Sequence, residues 1–362
     1  MAARRAAGPG TGAGADRPVA AAVGLDVGGG AVKAGAALLL GDGRLRPEGS
    51  EATARHGLAD DGPGLAALSA RLAGDVSARV RSAHPGLPLA WGVAAAAWID
   101  PASGASVFSP HLPGWRGADL PGDLSRALAG LGGPAGTRAA TSGWAGAGGG
   151  PAARAVPVPS VLNDADAAAW AEARTGAPLP AGDRMVMVAI GTGIGGALVR
   201  DGAVDVGAHG MAGEYGHMSV DPGGGACPCG NTGCWELVVS AGALAARSGH
   251  RSARTALDGA LAGDPACRSA VAETGRWLGR GLATLAAVLD PSRIVVGGGI
   301  AAAGELLLEP ARAELARRLP GARHRPVPGV TAARLGNRAG WLGAAGVALE
   351  RAGRPVSGIA AG

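Results

Sequence analysis

One histidine and three cysteines stand close together in this chain: His217, Cys227, Cys229 and Cys234. Four nitrogen and sulfur donors are the set a closed, tetrahedral zinc centre takes. The Cys-x-Cys turn and the glycines at 230 and 233 let a single loop wrap the ion. A centre with no position left for water shapes a site rather than activating a nucleophile. If His217 binds through one ring nitrogen, its other N–H is free to donate to a substrate oxygen. Glu214 and Glu236 flank this set and can accept hydroxyl protons, which together is the inventory of a sugar site. Cys267 lies apart and reads as a small buried hydrophobe.

Three glycine-rich turns form a second group. Asp26-Val27-Gly28-Gly29-Gly30-Ala31-Val32-Lys33, Gly191-Thr192-Gly193-Ile194-Gly195-Gly196 and Gly297-Gly298-Gly299 each follow an apolar run. Glycine permits close backbone approach, and successive N–H groups can face an anion. Asp26, at a strand end, can hold a hydrated metal cation. Any one of these turns alone is equally an ordinary hairpin, whereas three of them, each at a strand end, suggest a cradle for nucleotide phosphates. None fits the Walker pattern, which needs Gly-Lys-Ser/Thr. The second continues into a strand instead of opening a helix, which removes the dinucleotide fingerprint. Asn163-Asp164 opens an alanine-rich helix. The pair reads either as a helix cap or as a site in which Asp164 takes a proton from a substrate hydroxyl and Asn163 orients a neighbouring one.

These residues need a scaffold. Val19–Val27 and Val32–Leu40 read as two strands around the first turn, and Leu65, Leu68, Leu72, Val76 and Val80 recur at helical spacing. Leu87–Ala97 and Val156–Leu162 are further strands, so helices and strands alternate as in an α/β domain. From Met185 the plan of strand, glycine turn and strand repeats. A long helix over 267–289, a strand at 294–296 and helices near 303–318 and 339–352 follow, and the two halves suggest an internal duplication. Gly and Pro together make 92 of the 362 residues. They concentrate in residues 1–18, expected to be a disordered tail, and in a low-complexity insertion at 130–155. The expected domains are 19–178, completed by the helix at 339–352, and 179–338 with the metal loop at 217–234.

Charged residues are 17% of the chain against a usual figure of about 25%. The net charge is +5, carried almost wholly by arginine, with Lys33 the only lysine. No run of basic residues long enough to grip nucleic acid occurs, and no apolar stretch reaches the roughly 18 residues of a membrane span. Gly8–Gly14 falls where a signal peptide would need its apolar region, and the clustered cysteines form no disulfide framework. The chain therefore reads as cytoplasmic, with neither nucleic acid nor membrane as partner.

In their order and spacing these motifs resemble the ROK family of sugar kinases, and within it the actinobacterial glucokinase branch. The likeness rests on Asp26-x-Gly-Gly, Asn163-Asp164, Gly191-Thr-Gly-Ile-Gly-Gly, Glu214-x-Gly-His217, Cys227-x-Cys-Gly-x-x-Gly-Cys234-x-Glu236 and the triplet at Gly297. Ser109-Pro110-His111-Leu112 and Gly275-Arg276-Trp277-Leu278-Gly279 look like the same branch. The resemblance implies an α/β, two-domain actin-like ATPase fold of the ribonuclease H-like kind, carrying a zinc-binding loop. It implies phosphoryl transfer from Mg-ATP to the 6-hydroxyl of glucose and a homodimer. Asp164 would be the catalytic base; Asn163, Glu214, His217, Glu236 and Ala97 would line the sugar. Asp26, Gly28, Gly29, Gly30, Lys33, Gly191, Thr192, Gly193, Gly195 and Gly297–Gly299 would take the nucleotide, and His217, Cys227, Cys229 and Cys234 the zinc. Three positions depart from the pattern. Gly30 stands where the family usually has Thr, Ala97 where it usually has Gly, and Asp166 where the branch often carries Asn. N-acetylglucosamine or N-acetylmannosamine kinases, polyphosphate as donor, and a sugar-binding member with decayed activity are the alternatives. A repressor would need a winged helix ahead of Asp26, where only 25 residues stand.

Overall fold

The computed structural model describes residues 14–130, 158–176 and 179–360. Residues 1–13 of the expected tail and 131–155 of the expected insertion lie outside it. Residues 14–17 form a turn whose carbonyls at Ala15 and Arg17 accept from Asp42 N and Gly41 N.

Two sheets carry the fold. In the first, β1 (Pro18–Val27), β2 (Ala31–Leu40) and β3 (Arg44–Pro47) form an antiparallel meander, and β4 (Ala52–Arg55) adds to β2. After helix α1 (Gly62–Ala83), β5 (Leu89–Ala95) pairs parallel to β1. The hairpin of β6 (Trp98–Ile99) and β7 (Ser106–Phe108) and helix α2 (Leu120–Ala129) precede β8 (Ser160–Asn163), which pairs parallel to β5. From β8 the chain runs straight into α3 (Asp164–Ala173).

The second sheet repeats the plan. β9 (Arg184–Ile190), β10 (Ile194–Arg200) and β11 (Ala203–Val204) are again an antiparallel meander. Helices α4 (Trp235–Val238), α5 (Ala241–Ser248), α6 (Ala253–Ala262) and α7 (Pro265–Leu289) lead to β12 (Arg293–Gly297), parallel to β9. Then α8 (Glu305–Arg318), β13 (Gly329–Ala332), α9 (Ala339–Arg351) and β14 (Gly358–Ile359) close the chain, with β14 returning to pair with β3. The strand orders β3-β2-β1-β5-β8 and β11-β10-β9-β12-β13 match strand for strand. The short strands β3, β4, β6, β7, β11, β13 and β14 have no counterpart in the sequence reading; two to four residues are too few to carry a period-2 signal.

β1 is central and buried on both faces, which is why it reads as an unbroken apolar run rather than an alternating one. Leu25, Val27 and Val32 join α1 and α2 in one core; Ala20, Ala22 and Ala37 join α9 and Trp170 of α3 in another. α9 lies unusually close to its sheet. A methyl added at Gly24 would run into the carbonyl of Trp341, one at Gly92 into the carbonyl of Ala344, and one at Gly35 would lie 2.6 Å from the Trp341 indole. On its other side Gly343 meets the Ala167 carbonyl of α3 and Gly346 the Trp170 ring. α3 in turn packs Ala169 and Ala173 against Met185, Met187 and Val199 of the second sheet. It is therefore buried all round, and alanine is the residue that permits this.

The Gly275-to-Gly279 stretch serves packing in the same way. Both glycines lie in α7 where α8 crosses, with no room for a methyl against Leu307 and Ala311 carbonyls. Trp277's carbonyl accepts from Trp235 Nε1 at 2.9 Å, so α7 fixes the indole between Cys234 and Glu236. Cys267 is 1% exposed at the start of α7, beside His250 Nε2 at 3.1 Å.

Because α9 cannot retreat from both sheet and α3, Gly24→Ala should cost about 2–3 kcal/mol, the usual penalty for overpacking. Gly57→Ala, whose added methyl meets nothing within 4 Å, should stay within about 0.5 kcal/mol of the parent. Urea titrations of the two variants check this, and equal midpoints would refute the close-approach argument.

Candidate active site and metal centre

The parallel strands of both sheets end on the residues singled out by sequence: β1 at Asp26 and Val27, β5 just before Ala97, β8 at Asn163, β9 before Gly191 and β12 at Gly297. The carboxyl ends of parallel strands are where α/β folds bind ligands. Asn163 caps α3, its Oδ1 accepting from Ala165 N at 2.8 Å and Asp166 N at 3.1 Å. Its Nδ2 donates to Ala97 O at 3.2 Å, which ties β8 to the segment after β5. The cap reading of Asn163 is thus realised. It aims Asp164, the first residue of the helix, outward from the strand end.

Asp164 is half-buried. Burial first, then the neighbouring carboxylate of Asp26, pushes its carboxyl up to about 7. Asp26 itself accepts from Lys33 Nζ at 2.8 Å, the two lying directly opposite each other on β1 and β2. Gly340 of α9 closes over Asp26, where a methyl would come within 2.8 Å of its Cγ. The first glycine turn is clamped from two sides. His56 Nε2 lies 3.0 Å from Gly28 O, and His56 N donates to Gly30 O at 3.2 Å. On the other side Gly29 faces the His111 carbonyl. That loop is pinned by Ser109, whose hydroxyl donates to Ala96 O at 2.6 Å and accepts from Leu112 N at 2.8 Å. Gly30 faces open space, with no atom within 4 Å of an added methyl.

The second and third turns meet each other. Gly298, at φ +82°, lies against the Ile190 backbone, where only glycine fits. Gly191 O accepts from Ala241 N at 2.8 Å, fixing that turn on the start of α5. Gly195 lies against Ala165 of α3, and Gly193 against the Glu236 carboxylate. Thr192 and Gly299 are exposed.

At the metal loop, the ligand atoms of His217, Cys227, Cys229 and Cys234 all lie within 4.8 Å of one another. Cys227 Sγ is 3.8 Å from His217 Nδ1, and Cys229 Sγ is 3.6 Å from Cys234 Sγ. Those are edges of a tetrahedron with zinc–ligand bonds of about 2.0–2.3 Å, so the residues fit a zinc ion. Gly230 and Gly233 take positive φ to turn the loop; Asn231 Nδ2 holds the His217 carbonyl at 3.2 Å. His217 Nε2 faces away from the thiols, 3.7 Å from Glu214 Oε2, while Glu236 Oε1 lies 3.4 Å from Nδ1.

A small open pocket lies between α3 and the loop ahead of the metal centre. Asn163, Asp164 and Asp166 line one wall, Gly195 and Gly196 the floor, and Trp98, Gly210 and Glu214 the other wall. Trp98 Nε1 donates to Glu214 Oε1 at 2.5 Å, joining hairpin β6–β7 to the far loop. Ala97 is 3% exposed and meets the site through its carbonyl alone. Sequence reasoning assigns Trp98 no role, since it sits in a run without period. It has no function for Asp166 either. On the far wall sequence reasoning finds Glu214 alone; Gly207, Gly210 and Gly213, all at positive φ, shape the loop ahead of it.

The ROK family model matches residues 153–351. A glucokinase of Streptomyces coelicolor is 38% identical over 213 residues, 52% of this chain and 67% of that protein. An N-acetylmannosamine kinase of Salmonella heidelberg is 37% identical over 192 residues, 51% of this chain and 62% of that protein. Among solved structures, a ROK family glucokinase from Streptomyces griseus in complex with glucose and AMPPNP superposes with a TM-score of 0.70 at 30% identity. That match covers 91% of this chain and 99% of the other.

If the four-donor cluster is a structural centre, protein purified without chelators should carry about one zinc per chain. Cys234→Ser should lose the metal and unfold at lower temperature. Metal analysis by plasma mass spectrometry decides this, and a zinc-free, fully folded parent would overturn it.

Proposed function

This chain belongs to the ROK family, and on that premise we propose that it transfers the γ-phosphoryl group of Mg-ATP to the 6-hydroxyl of glucose. The observation that carries the reading is Asp164. Its carboxyl stands at a helix start between the Asp26 turn and the pocket, held near neutrality by burial and by Asp26. A base with that proton affinity is ionised often enough at neutral pH to accept a hydroxyl proton, and basic enough to keep it.

In this mechanism Glu214, Glu236 and the free ring nitrogen of His217 hold the sugar's hydroxyls, and Asn163 keeps the start of α3 rigid. Asp164 takes the proton from the 6-hydroxyl as that oxygen attacks the γ-phosphorus; the bond to the β-phosphate bridging oxygen breaks and ADP leaves. The turns at 28–30, 191–195 and 297–299 present backbone N–H groups to the phosphates, and Asp26 with Lys33 orders the first of them. Magnesium, when bound, neutralises phosphate charge; zinc, when bound, fixes the His217 ring. Phosphoryl transfer asks mostly for positioning and charge stabilisation, which two lobes at 19–178 with α9 and at 179–338 can supply by closing. The likeness to an N-acetylmannosamine kinase keeps N-acetylhexosamines as the second reading. ADP release with glucose, N-acetylglucosamine and N-acetylmannosamine separates the two.

Asp164→Asn should lower kcat by at least about 10²-fold, the minimum expected for a lost general base, while glucose still binds. In the parent, kcat/KM should rise with pH through about 7, because the base works ionised. Below that point it should fall about tenfold per unit. A flat profile from pH 5 to 8 would exclude Asp164 as the base. Gly30→Thr should fold normally, since the position is open. It should lower KM for ATP about 2- to 10-fold if the hydroxyl gains one neutral hydrogen bond of about 0.5–1.5 kcal/mol; an unchanged or raised KM would refute that gain.

A further inference from the structure

Three carboxylates among the described residues are buried, and two of them are fully served by the protein. Glu172, near the end of α3, accepts from Arg334 N at 2.9 Å and Leu335 N at 2.8 Å. Glu314 is paired with Arg317 and Arg318. The third, Asp166, is 7% exposed, and no donor among the described residues reaches its carboxylate; its backbone N donates to Asn163 Oδ1 at 3.1 Å. The Asp166 carboxylate lines an open pocket, so its hydrogen bonds are completed there, by water or by a ligand.

Asp166 lines the pocket, and its surroundings say what kind of partner fits. The pocket lining holds Asp164, Asp166 and Glu214 but no lysine or arginine. The one indole donor there, Trp98 Nε1, is committed to Glu214, and the nearby cation, Lys33, to Asp26. Burial, with Asp164 next and then Glu214, pushes the Asp166 carboxyl up to about 7, the response of a site short of positive charge. A hydroxyl can donate one hydrogen bond to such a carboxylate, charge-assisted on the acceptor side alone. An ammonium group donates a bond in which both partners are charged, and its positive charge also offsets the pocket's carboxylates.

We propose that Asp166 is a specificity-determining residue of the sugar pocket and that the pocket accepts an aminohexose, its ammonium group paired with the Asp166 carboxylate. The assignment deepens the sugar-kinase reading above and rests on that reading for the identity of the pocket. The carboxylate in place of a carboxamide at position 166 is what separates an amino sugar from a neutral one, because a carboxamide there could serve a hydroxyl equally well.

Calorimetric titration of the full chain with glucosamine, glucose and N-acetylglucosamine tests it, run on the parent and on Asp166→Asn. The parent should bind glucosamine more tightly than glucose, and more tightly than N-acetylglucosamine, whose nitrogen is neutral. In Asp166→Asn the affinity ratio of glucosamine to glucose should fall at least tenfold. A smaller fall overturns the proposal, and so does a parent that binds glucosamine no better than either neutral sugar; the latter needs no variant. ADP release from Mg-ATP is followed in parallel. Turnover of glucose with an unmoved ratio ends this proposal and leaves the kinase reading standing. A ratio that falls while no sugar yields ADP supports Asp166 and removes the kinase reading.

Discussion

The start of α3 is the point on which the site depends, and α3 is fixed because it has nowhere to go. Gly343 and Gly346 bring α9 onto one side of it, and the second sheet packs Met185 and Met187 on another. At its far end Glu172 takes backbone N–H groups of Arg334 and Leu335, the segment that leads into α9. At its near end Asn163 caps the first turn and reaches the Ala97 carbonyl. A helix built largely of alanine contributes little burial per residue, so its position comes from close backbone approach and from these two anchored ends. Asp164 and Asp166 inherit that rigidity, which is what a group meant to meet a reacting hydroxyl requires.

The repeated sheet plan explains why the chemistry gathers where it does. Each half sends its parallel strands toward one edge, and β1, β9 and β12 run there into glycine, where a backbone N–H is more useful than a side chain. The halves have since taken different tasks. The first carries Asp26, Lys33 and the Asn163–Asp164 junction. The second carries the turn at 191–196, the triplet at 297–299 and the metal loop. Gly195, against Ala165 of α3, is where the two sets of residues meet, while Gly193, against Glu236, ties the second turn to the end of the metal loop.

Much of this is legible in the sequence because it depends on residue type at short range. The two glycine hairpins, the metal donors and the long helices announce themselves by spacing, and all four donors meet in the structure. What is not legible depends on contacts far apart in the chain. Trp98 acquires a role only through Glu214, 116 positions away. Asp166 looks like one more acid in a helix until the absence of a donor around it is seen. Ala97 is set beside the sugar by the resemblance alone; in the structure its methyl is buried and its carbonyl accepts from Asn163 Nδ2. Gly275 and Gly279 carry a branch resemblance, yet what they do is let α8 cross α7.

The metal loop shows why a sugar site would need an ion that does no chemistry. Between Asp205 and Cys234 the chain makes a long connection rich in glycine, with only two-residue bridges and a single short turn of helix at Tyr215–His217. Such a segment buries too little apolar surface to order itself. Its end is anchored by Trp235, fully buried against α7, while Tyr215, Met218 and Val220 reach the same core only partly buried. On the proposed mechanism Glu214 and Glu236 must nevertheless be held within reach of the same ligand. With zinc bound, the four donors drawn from 217–234 would supply binding free energy that becomes folding free energy. A bound ion would thus do for the far wall of the pocket what the glycine contacts of α9 do for the near wall: leave the carboxylates one arrangement.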